Sequence, residues 1–538
     1  MRRTLARRAA LASSVVLAAA APLSALAGTS TTKAPASFQA FTVLNGHNGV
    51  AKGGEPSLGF DTKRNALIYG ATAHETRMVF HDSHGRTSVQ QTDVSAPSAQ
   101  VTTLDSITFS DKYTGRTFDA QLLAACSAMS YSDDAGANWT PTTGCGQNTL
   151  LDHESVGGGP FHAPLPQGVS YPDAVYYCAQ NGFNATCAVS LDGGLTFGPG
   201  QPISNTPIND PGNPYGGACS GLHGHLKVGP DGTAYVPLKG CHGTPTPNDL
   251  TNTEYAGGQA AVSVSQDNGL TWQIHVVPGS HNQDESDNAV DTDKGNRLYM
   301  AWEDGTNPSI LTYGTTSSAK AAFSNDEGTT WSKPVDLSSA LGVHNVQFPQ
   351  IVAGDKGRAA IAFIGTKTAG NDQHNGFKGK DGKPAVWDLY VSLTYDGGKH
   401  WTTTDLTPHD PVQRGCVLME GLSNKTATDN DLCSQRNLLD FNDITMDNQG
   451  RVIVAYTDGC TGHCITDRNY LSKDGVKGVT DNVDMVMRLS GGKGLVAKYD
   501  GKLGPVRGSN RGYRTAGLML LPLAATTATG SRRRRRRT

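Results

Sequence analysis

The chain has 538 residues, of which 37% are hydrophobic, 17% are charged and 7% are aromatic, and it contains 64 glycines. Four arginines stand among the first eight residues and six among the last seven. Without these ten arginines the chain has 35 basic and 48 acidic residues, a net charge of −13. This negative charge argues against nucleic acid or an anionic membrane surface as the main partner of the part of the chain between the two arginine-rich ends.

The first 27 residues carry the pattern of a secretory signal peptide. Four arginines precede an apolar run from Leu11 to Ala21, and Ala25-Leu26-Ala27 is a small-residue cleavage pattern. A permanent membrane anchor is the alternative, but the run is short for a helix that spans a bilayer. We therefore expect cleavage after Ala27, followed by an N-terminal extension over residues 28–50.

One motif recurs five times between residues 132 and 401, and we call it the turn motif. Its copies read SDDAGANW from Ser132, SLDGGLTF from Ser190, SQDNGLTW from Ser265, SNDEGTTW from Ser324 and TYDGGKHW from Thr394. In a hairpin turn the shared aspartate can accept backbone N–H groups, and the glycine supplies a backbone conformation that other residues avoid. The aromatic residue at the end can start the next strand and bury its ring.

The turn motif resembles the Asp-box, or BNR repeat, of sialidases and related secreted propeller proteins. The resemblance covers roughly residues 55–489 and implies a β-propeller. In that family the boxes lie on the rim of the propeller, away from the catalytic face. The resemblance therefore implies a structural role for the five motif aspartates, which are Asp134, Asp192, Asp267, Asp326 and Asp396.

A second pattern consists of a short apolar strand, a turn that often contains Asp and Gly, and a second β-rich strand. It is clear at four positions and weaker at three, starting at Leu226, Ala289, Ile351 and Ile444, and at Leu58, Ile107 and Ala174. Seven starts predict an all-β propeller of seven four-stranded blades over residues 51–495. Six blades, as in sialidases, are the alternative if the regions at Leu58 and Ala174 do not each form a blade.

The predicted first strand of each blade lines the central channel, and polar residues mark its start. The residue before each apolar run is Ser57, Ser106, Asp173, His225, Asn288, Gln350 or Asp443. These positions predict a hydrated funnel for a polar ligand. The ligand-binding candidates are Asp173, His223, His225, Asn288, Gln350, Arg414 and Arg436.

Carboxylates of the same funnel are the candidates for catalysis. Glu55, Asp287 and Asp443 could supply a pair for glycoside hydrolysis, for which the separation of the two carboxyl groups decides the mechanism. The pairs His153-Glu154 and Glu303-Asp304 are further acid/base candidates, which we expect to be solvated surface groups.

The sialidase resemblance stops at the catalytic motif. Sialidases hold the substrate carboxylate with three arginines, the first in an Arg-Ile-Pro motif that opens the first blade. The matching segment here runs from Gly53 to Leu58 as GGEPSL, so Glu55 stands near the place of that arginine and would repel an acidic sugar. Arg297, Arg358 and Arg451 are expected at hairpin ends, distant from the funnel. The absence of the arginines that would bind the substrate carboxylate predicts that the chain lacks true sialidase chemistry.

All ten cysteines lie between residues 126 and 464, and an even number in an exported chain predicts disulfides. Near-neighbour pairing gives Cys126–Cys145, Cys178–Cys187, Cys219–Cys241, Cys416–Cys433 and Cys460–Cys464. The second pair is the best supported because the hairpin signal Asn181-Gly182 lies between its members. Half a metal site at Cys460–Cys464 is the alternative there, but no second cysteine–histidine cluster has zinc-like spacing.

The C-terminus combines a linker over residues 496–515 with an apolar stretch and an arginine run over residues 516–538. This end resembles the sorting signals of bacterial surface proteins, and a nucleic-acid-binding tail is the alternative. We expect a secreted or cell-surface propeller that binds a glycan or an extracellular protein at the channel mouth. An exo-acting glycoside hydrolase is the alternative, so whether the protein is an enzyme stays open. No cofactor fingerprint and no dedicated metal motif accompany these patterns.

Overall fold

The computed structural model describes residues 36–503, apart from residues 46–48, 72–73, 84–85, 101–105, 124–125, 145–151, 181–184, 205–218, 220–222, 243, 248–252, 257, 282–285, 306–315, 371, 373–376, 418–434 and 473–481. The predicted signal peptide, residues 504–515 of the predicted linker and the arginine-rich tail lie outside the described residues, as do Cys145 and Cys433.

Seven antiparallel four-stranded sheets follow one another along the chain, and each forms one blade. In the order first to fourth strand, blade 1 is Ser57–Asp61, Ala66–Ala71, His74–Ser83 and Arg86–Asp93; blade 2 is Ser106–Ser110, Thr117–Gln121, Ser127–Ser132 and Thr140–Gly144; blade 3 is Asp152–Pro160, Asp173–Gln180, Ala185–Ser190 and Gln201–Pro202; and blade 4 is Lys227–Val228, Ala234–Cys241, Gln259–Ser265 and Gln273–Val276.

The remaining three blades have the same strand order. Blade 5 is Ala289–Thr292, Leu298–Gly305, Ser317–Ser324 and Val335–Asp336; blade 6 is Asn345–Ala353, Ala359–Thr366, Val386–Thr394 and Thr402–Asp405; and blade 7 is Asp443–Met446, Val452–Asp458, Val483–Gly491 and Ser37–Thr42. The short strand Gln413–Arg414 also pairs with the third strand of blade 6. Two small hairpins, Leu44–Asn45 with Gly49–Val50 and Thr244–Pro247 with Thr253–Ala256, lie outside the blades.

The first strands of successive blades contact one another around a ring, and that of blade 7 contacts that of blade 1. Closure of the ring leaves few exposed sheet edges. The structure is therefore a seven-bladed β-propeller, which confirms the predicted fold, and the six-bladed alternative is wrong. The second strands are buried along their length because both faces pack against neighbouring blades; Ala359–Thr366 in blade 6 is an example.

The N-terminal strand Ser37–Thr42 closes the propeller, although the sequence analysis placed residues 28–50 in an extension. It pairs antiparallel with Val483–Gly491 as the outermost strand of blade 7. The chain leaves blade 7 after the third strand of that blade. The free edge of this third strand is then covered by the N-terminal strand, which pairs with it. No sequence pattern marks this strand, because it has no turn motif and no hairpin partner nearby in sequence.

An ion network joins blades 7 and 1 beside this closure. Arg488 donates to both carboxylate oxygens of Asp82 at 2.9 Å and to Asp447 Oδ2 at 2.6 Å. Arg451 Nε lies 3.3 Å from Asp82 Oδ2. The guanidinium of Arg488 is buried and forms a two-pronged contact with Asp82, a geometry that favours a strong charge-assisted pair.

Three disulfides are among the described residues. They join the predicted pairs Cys178–Cys187, Cys219–Cys241 and Cys460–Cys464. The first joins two residues directly opposite each other in a β-ladder, as the hairpin signal indicated. Cys126 and Cys416 are also disulfide-bonded.

Helix is scarce in the described part of the chain. It comprises the α-helix His463–Thr466 and the 3₁₀ turns Ser98–Gln100, Ser339–Leu341 and Ala497–Tyr499. No helix within the described ranges is long and apolar enough to cross a membrane.

Candidate functional site

The turn motifs and the predicted funnel lie at opposite ends of the blades. Each turn motif joins the third and fourth strands of one of blades 2 to 6. The first strands begin, and the second strands end, at the other end of each blade. We call these two ends the motif face and the funnel face.

The motif aspartates are occupied by their own turns. In blade 3, Asp192 accepts the N–H of Thr196 at 2.9 Å and its hydroxyl at 2.6 Å, and Ser190 Oγ accepts the N–H of Gly194 at 2.8 Å. The N–H contact to the fourth residue after Asp recurs in the other four motifs. Burial alone would raise the pKa of Asp192, but the hydrogen bonds outweigh it and the pKa is lowered. The motif aspartates therefore stabilise their own turns, which is a structural role.

Two of the three predicted catalytic carboxyl groups, Asp443 and Glu55, accept backbone N–H groups and thereby connect blades 7 and 1. Asp443 accepts the N–H groups of Leu58 and Ile444, both at 2.7 Å, and thereby ties blade 7 to blade 1. Burial raises the pKa of Asp443 to about 6. Glu55 is buried, accepts the N–H of Asp440 at 3.1 Å and has a left-handed backbone with φ of 50°.

Asp173 lies on the motif face, so its assignment to the funnel is wrong. Asp173–Gln180 is the second strand of blade 3, and Asp152–Pro160 is the first. That first strand contains three consecutive glycines and a single large apolar residue, so its apolar signal is weak. Ser155 takes the position predicted for Asp173, because its Oγ accepts the N–H of Leu226 in the next blade.

Phe441 crosses the channel at the funnel face. It directly precedes blade 7, yet its ring lies 4.8 Å from the ring of His225 in blade 4 in an edge-to-face contact. It also belongs to the apolar cluster formed by blades 2 and 3. His223 is fully buried, with Nδ1 3.0 Å from the carbonyl oxygen of Gly224. Both predicted histidines are therefore buried and packed against other residues of the protein at the funnel face.

The other predicted ligand-binding residues are also engaged with the protein. Asn288 Nδ2 donates to the carbonyl of Leu238 at 2.8 Å, and Gln350 is buried in the first strand of blade 6. Arg414 donates to the carbonyls of Cys464 and Ile465 at 2.7 and 3.2 Å. Arg436 forms an ion pair with Asp440. Both arginines thus contact neighbouring loops of the protein.

The hairpin arginines lie on the motif face, as expected. Arg297 donates to the carbonyl of Gly397, in the turn motif of the next blade, at 2.8 Å. Arg358 forms an ion pair with Asp500 at 2.7 Å. These guanidinium groups connect one blade to the next and lie far from the funnel.

Asp287, the third predicted catalytic residue, belongs to a polar network that we call the blade 4–6 cluster. Its members are Lys239 from blade 4, Ser286, Asp287 and Glu303 from blade 5, and Gln347 and Asp372 from blade 6. Lys239 Nζ lies 3.3 Å from Asp287 Oδ1, Ser286 Oγ donates to Gln347 Oε1 at 2.5 Å, and Gln347 Nε2 donates to Asp372 Oδ2 at 3.1 Å. All six residues are less than 10% exposed.

Glu303 is the carboxyl group of this cluster with the largest perturbation. Burial raises its pKa to about 8, and the nearby Asp372 adds to the rise, whereas hydroxyls and Lys239 oppose it. Glu303 therefore holds a proton at neutral pH. A protonated carboxyl group can donate a hydrogen bond or act as a general acid.

A strained bulge positions Gln347. The ladder between the first two strands of blade 6 shifts register between Gln347 and Gln350, and Phe348 has φ of 60°. The N–H of Phe348 donates to Ser286 Oγ at 3.1 Å, so the strained residue contacts the cluster directly. Bulges and left-handed non-glycine residues occur often at functional sites because they redirect side chains.

Sequence reasoning missed Lys239 and Gln347, named Asp372 only as part of a long funnel-face loop over residues 365–387, and misjudged Glu303-Asp304. Both carboxyl groups are buried instead of solvated, and Asp304 accepts the indole N–H of Trp302 at 2.8 Å. Glu154, also expected to be solvated, is buried in the first strand of blade 3. A signal was present: Glu303 and Asp304 directly follow the apolar run Leu298–Trp302 within one strand, where charged residues are unusual. His153 lies among residues whose side chains are not described.

No group of three or more His, Cys, Asp or Glu side chains in the described ranges is arranged to hold a metal ion.

Fold and site together define a seven-bladed β-propeller with a buried polar network at its funnel face. No known family profile and no curated protein matches the chain. Among solved structures, the chain is similar to a protein of unknown function from Dyadobacter fermentans, with 11% identity over 84% of this chain and 98% of that chain and a TM-score of 0.40.

Two further similarities are weaker. A mutant of AofleA from Arthrobotrys oligospora has 10% identity over 69% of this chain and 90% of its own, with a TM-score of 0.36. Trypanosoma rangeli sialidase in complex with the inhibitor DANA has 14% identity over 69% of this chain and 52% of that chain, with a TM-score of 0.31. Similarities this distant carry no functional argument.

Proposed function

We propose that this exported propeller binds a glycan at its funnel face and lacks sialidase chemistry. The observation that carries the proposal is the blade 4–6 cluster. It brings an ammonium, three carboxyl groups, an amide and a hydroxyl from three blades into one network at the channel mouth. Sugar hydroxyls both donate and accept hydrogen bonds, and this set of side chains offers both kinds of partner.

The described arginines support the absence of sialidase chemistry. A sialic acid carboxylate calls for guanidinium groups that converge on one point. Arg414 and Arg436, the two candidates near the funnel, contact different protein groups. Glu55, near the place of the family's first arginine, is a carboxyl group that accepts the N–H of Asp440, so that position offers no cationic contact.

Export is supported by the three disulfides and by the predicted signal peptide. Disulfides persist in oxidising compartments outside the cytosol. Glycans are abundant ligands in such places, and the acidic body carries no general affinity for nucleic acid.

The test is a glycan microarray probed with the purified chain, followed by calorimetry on each glycan that binds. Gln347→Ala and Asp372→Asn should each weaken binding by about tenfold, the effect of losing roughly one good hydrogen bond. Asp326→Asn, on the motif face, is the matched control and should bind as the wild type does. Absence of any bound glycan, or equal binding by the cluster variants, would contradict the proposal.

A hydrolase acting on a neutral glycoside is the second candidate, favoured by the proton that Glu303 holds at neutral pH. In that case a panel of chromogenic glycosides should be cleaved by the wild type, and Glu303→Gln should lower the rate by about two orders of magnitude or more. Glu55→Gln should leave the rate unchanged because Glu55 lies between blades 7 and 1. If the wild type cleaves none of the panel, this candidate is to be dropped.

A further inference from the structure

We propose that the funnel face carries a separate oxyanion site between blades 6 and 7, built around Arg414, which takes a phosphate ester group. The site lies where two loops meet. Residues 377–385 lead into the third strand of blade 6, and residues 459–472 follow the second strand of blade 7. None of its residues belongs to the blade 4–6 cluster, so the inference goes beyond the proposed function and does not depend on it.

Arg414 is a buried guanidinium group without a negative partner. The residue is 6% exposed, and no carboxylate of the described residues forms an ion pair with it. Its Nε and Nη2 donate to the carbonyls of Cys464 and Ile465 at 2.7 and 3.2 Å, which fixes the plane of the guanidinium. Within the described ranges Nη1 donates to no acceptor, and it is not a fully buried atom, so it is open to a ligand.

The charges near Arg414 leave its positive charge uncompensated. Burial lowers the pKa of Arg414 and the neighbouring Arg468 lowers it further, whereas Asp388 and Asp467 oppose this only in part. The side chain of Arg468 is 74% exposed, and its Nη2 lies 3.4 Å from Asp381 Oδ2. A covered cation beside a like charge is unfavourable, and an anion that contacts both guanidinium groups would relieve the repulsion.

The two loops extend this positive charge over the surface. The blade 6 loop contributes three lysines, Lys378, Lys380 and Lys383. Lys383 contacts Asn469, so the two loops touch each other at this point. With the two arginines they present five cations against two carboxylates, Asp381 and Asp467. Because the chain between its arginine-rich ends is acidic as a whole, this positive surface is a local feature that attracts anions.

A phosphate ester fits these side chains better than a carboxylate does. At neutral pH a phosphate monoester has a charge of about −2 and three acceptor oxygens, so it can contact Arg414, Arg468 and a lysine at once. A carboxylate has one charge and two oxygens. The site also differs from the carboxylate clamp of a sialidase, because only one of its two guanidinium groups is buried and both lie between blades 6 and 7.

Calorimetry with four matched sugars tests the inference. Glucose 6-phosphate, glucose 6-sulfate, glucuronic acid and glucose differ only in the group at position 6. The phosphate should bind at least about tenfold more tightly than the sulfate or glucuronic acid, because it carries the larger charge. Glucose should not displace it, and its binding should weaken as the ionic strength rises.

Variants locate the bound phosphate. Arg414→Gln should weaken binding of glucose 6-phosphate by about tenfold or more, the effect of losing a charge-assisted hydrogen bond. Arg468→Gln should weaken it by about threefold, and it serves as the second variant if Arg414→Gln does not fold, because its exposed side chain does not support the core. Arg64→Gln is the matched control. Arg64 is also a partly exposed arginine paired with an aspartate, Asp61, but it lies on the motif face, so this variant should bind as the wild type does.

Each outcome bears on a distinct claim. Equal binding of the phosphate by the wild type, Arg414→Gln and Arg468→Gln would place it elsewhere and overturn the inference. If glucuronic acid or the sulfate binds as tightly as the phosphate, the ligand class is wrong. The glycan array is a separate measurement: a bound glycan without phosphate binding leaves the proposed function standing and removes this inference, and the opposite result does the reverse.

Discussion

The five motif aspartates and three carboxyl groups of the funnel face titrate in opposite directions, whereas Asp173, on the motif face but outside the turn motifs, has a pKa raised by burial and by Asp111 to about 7. On the motif face the five motif aspartates have lowered pKa values, and the pKa of Asp82 falls to about 2. On the funnel face burial raises the pKa of Glu303 to about 8 and those of Asp388 and Asp484 to about 7.

Hydrogen-bond donors explain the difference. Each motif aspartate receives an N–H and at least one hydroxyl from its own turn. Asp82 receives hydrogen bonds from both terminal nitrogens of Arg488. Funnel-face carboxyl groups are more deeply buried and receive fewer donors, as at Asp484, which accepts the N–H of Gly53 at 3.0 Å. The ionised motif aspartates and Asp82 therefore stabilise the fold, whereas the three funnel-face carboxyl groups are unfavourable when ionised, as is typical of functional regions.

Removal of a cation from the motif face should have the largest effect on stability. Arg488→Ala leaves Asp82 and Asp447 facing each other without the guanidinium that lies between them. Because a buried ion pair would lose one partner, the free energy of unfolding should fall by about 3 kcal/mol. Urea denaturation followed by tryptophan fluorescence measures the change.

The matched control is Lys294→Ala. Lys294 also forms a motif-face ion pair, 2.7 Å from Asp355, but its side chain is 63% exposed. Solvent screening should limit the change to about 0.5 kcal/mol. Equal losses in the two variants would show that burial does not distinguish these pairs.

Asp484, on the funnel face, should make the free energy of unfolding depend on pH in the opposite sense to the motif aspartates. The folded pKa of Asp484, about 7, exceeds the ordinary value of 3.8, so the folded state binds the proton more tightly. That contribution is full below about pH 4 and is lost as pH rises through 7. Between pH 5 and 8.5 the wild type should lose stability, and Asp484→Asn should reduce that loss by about 2 kcal/mol.

Thermal unfolding at several pH values tests this expectation, with Asp192→Asn on the motif face as the control. The control should not reduce the loss between pH 5 and 8.5, because Asp192 has a lowered pKa and its contribution is lost only at acidic pH. A wild type whose stability is constant over this range would contradict the raised values on the funnel face.

Much of the fold could be predicted from sequence, but much of the site could not. The turn motif is local, since eight consecutive residues contain its donors, its acceptor and its left-handed positions, and so it can be read from the chain. The blade 4–6 cluster joins residues from three blades, such as Lys239 and Asp372, and no local pattern places them together. Asp173 was misassigned because a glycine-rich first strand carries little apolar signal.

Loss of a motif carboxylate should have a smaller effect than loss of Arg488. Asp192→Ala removes the acceptor for the N–H and hydroxyl of Thr196, both near the surface and able to bind water instead. The free energy of unfolding at pH 7 should fall by about 1 kcal/mol. Because the pKa of Asp192 is lowered in the folded state, the difference from the wild type should shrink as pH falls into the acidic range. A difference that stays constant down to acid unfolding would show that the charge is irrelevant.

The smallest expected change, and the only gain, concerns the residue between Asp and Gly in the turn motif. It has positive φ in all five copies: 57° at Ala135, 75° at Gly193, 61° at Asn268, 58° at Glu327 and 82° at Gly397. A left-handed backbone is unfavourable for any residue except glycine, so Glu327→Gly should raise the free energy of unfolding by about 0.5 kcal/mol even though a surface contact with Gln266 is lost. The reverse change, Gly397→Ala, should be destabilising because the φ of 82° is strained for alanine, and the new Cβ would also displace the Arg297 guanidinium from the carbonyl of Gly397. Urea denaturation of both variants decides the matter, and a loss of stability in Glu327→Gly would mean that its side-chain contact outweighs the backbone strain.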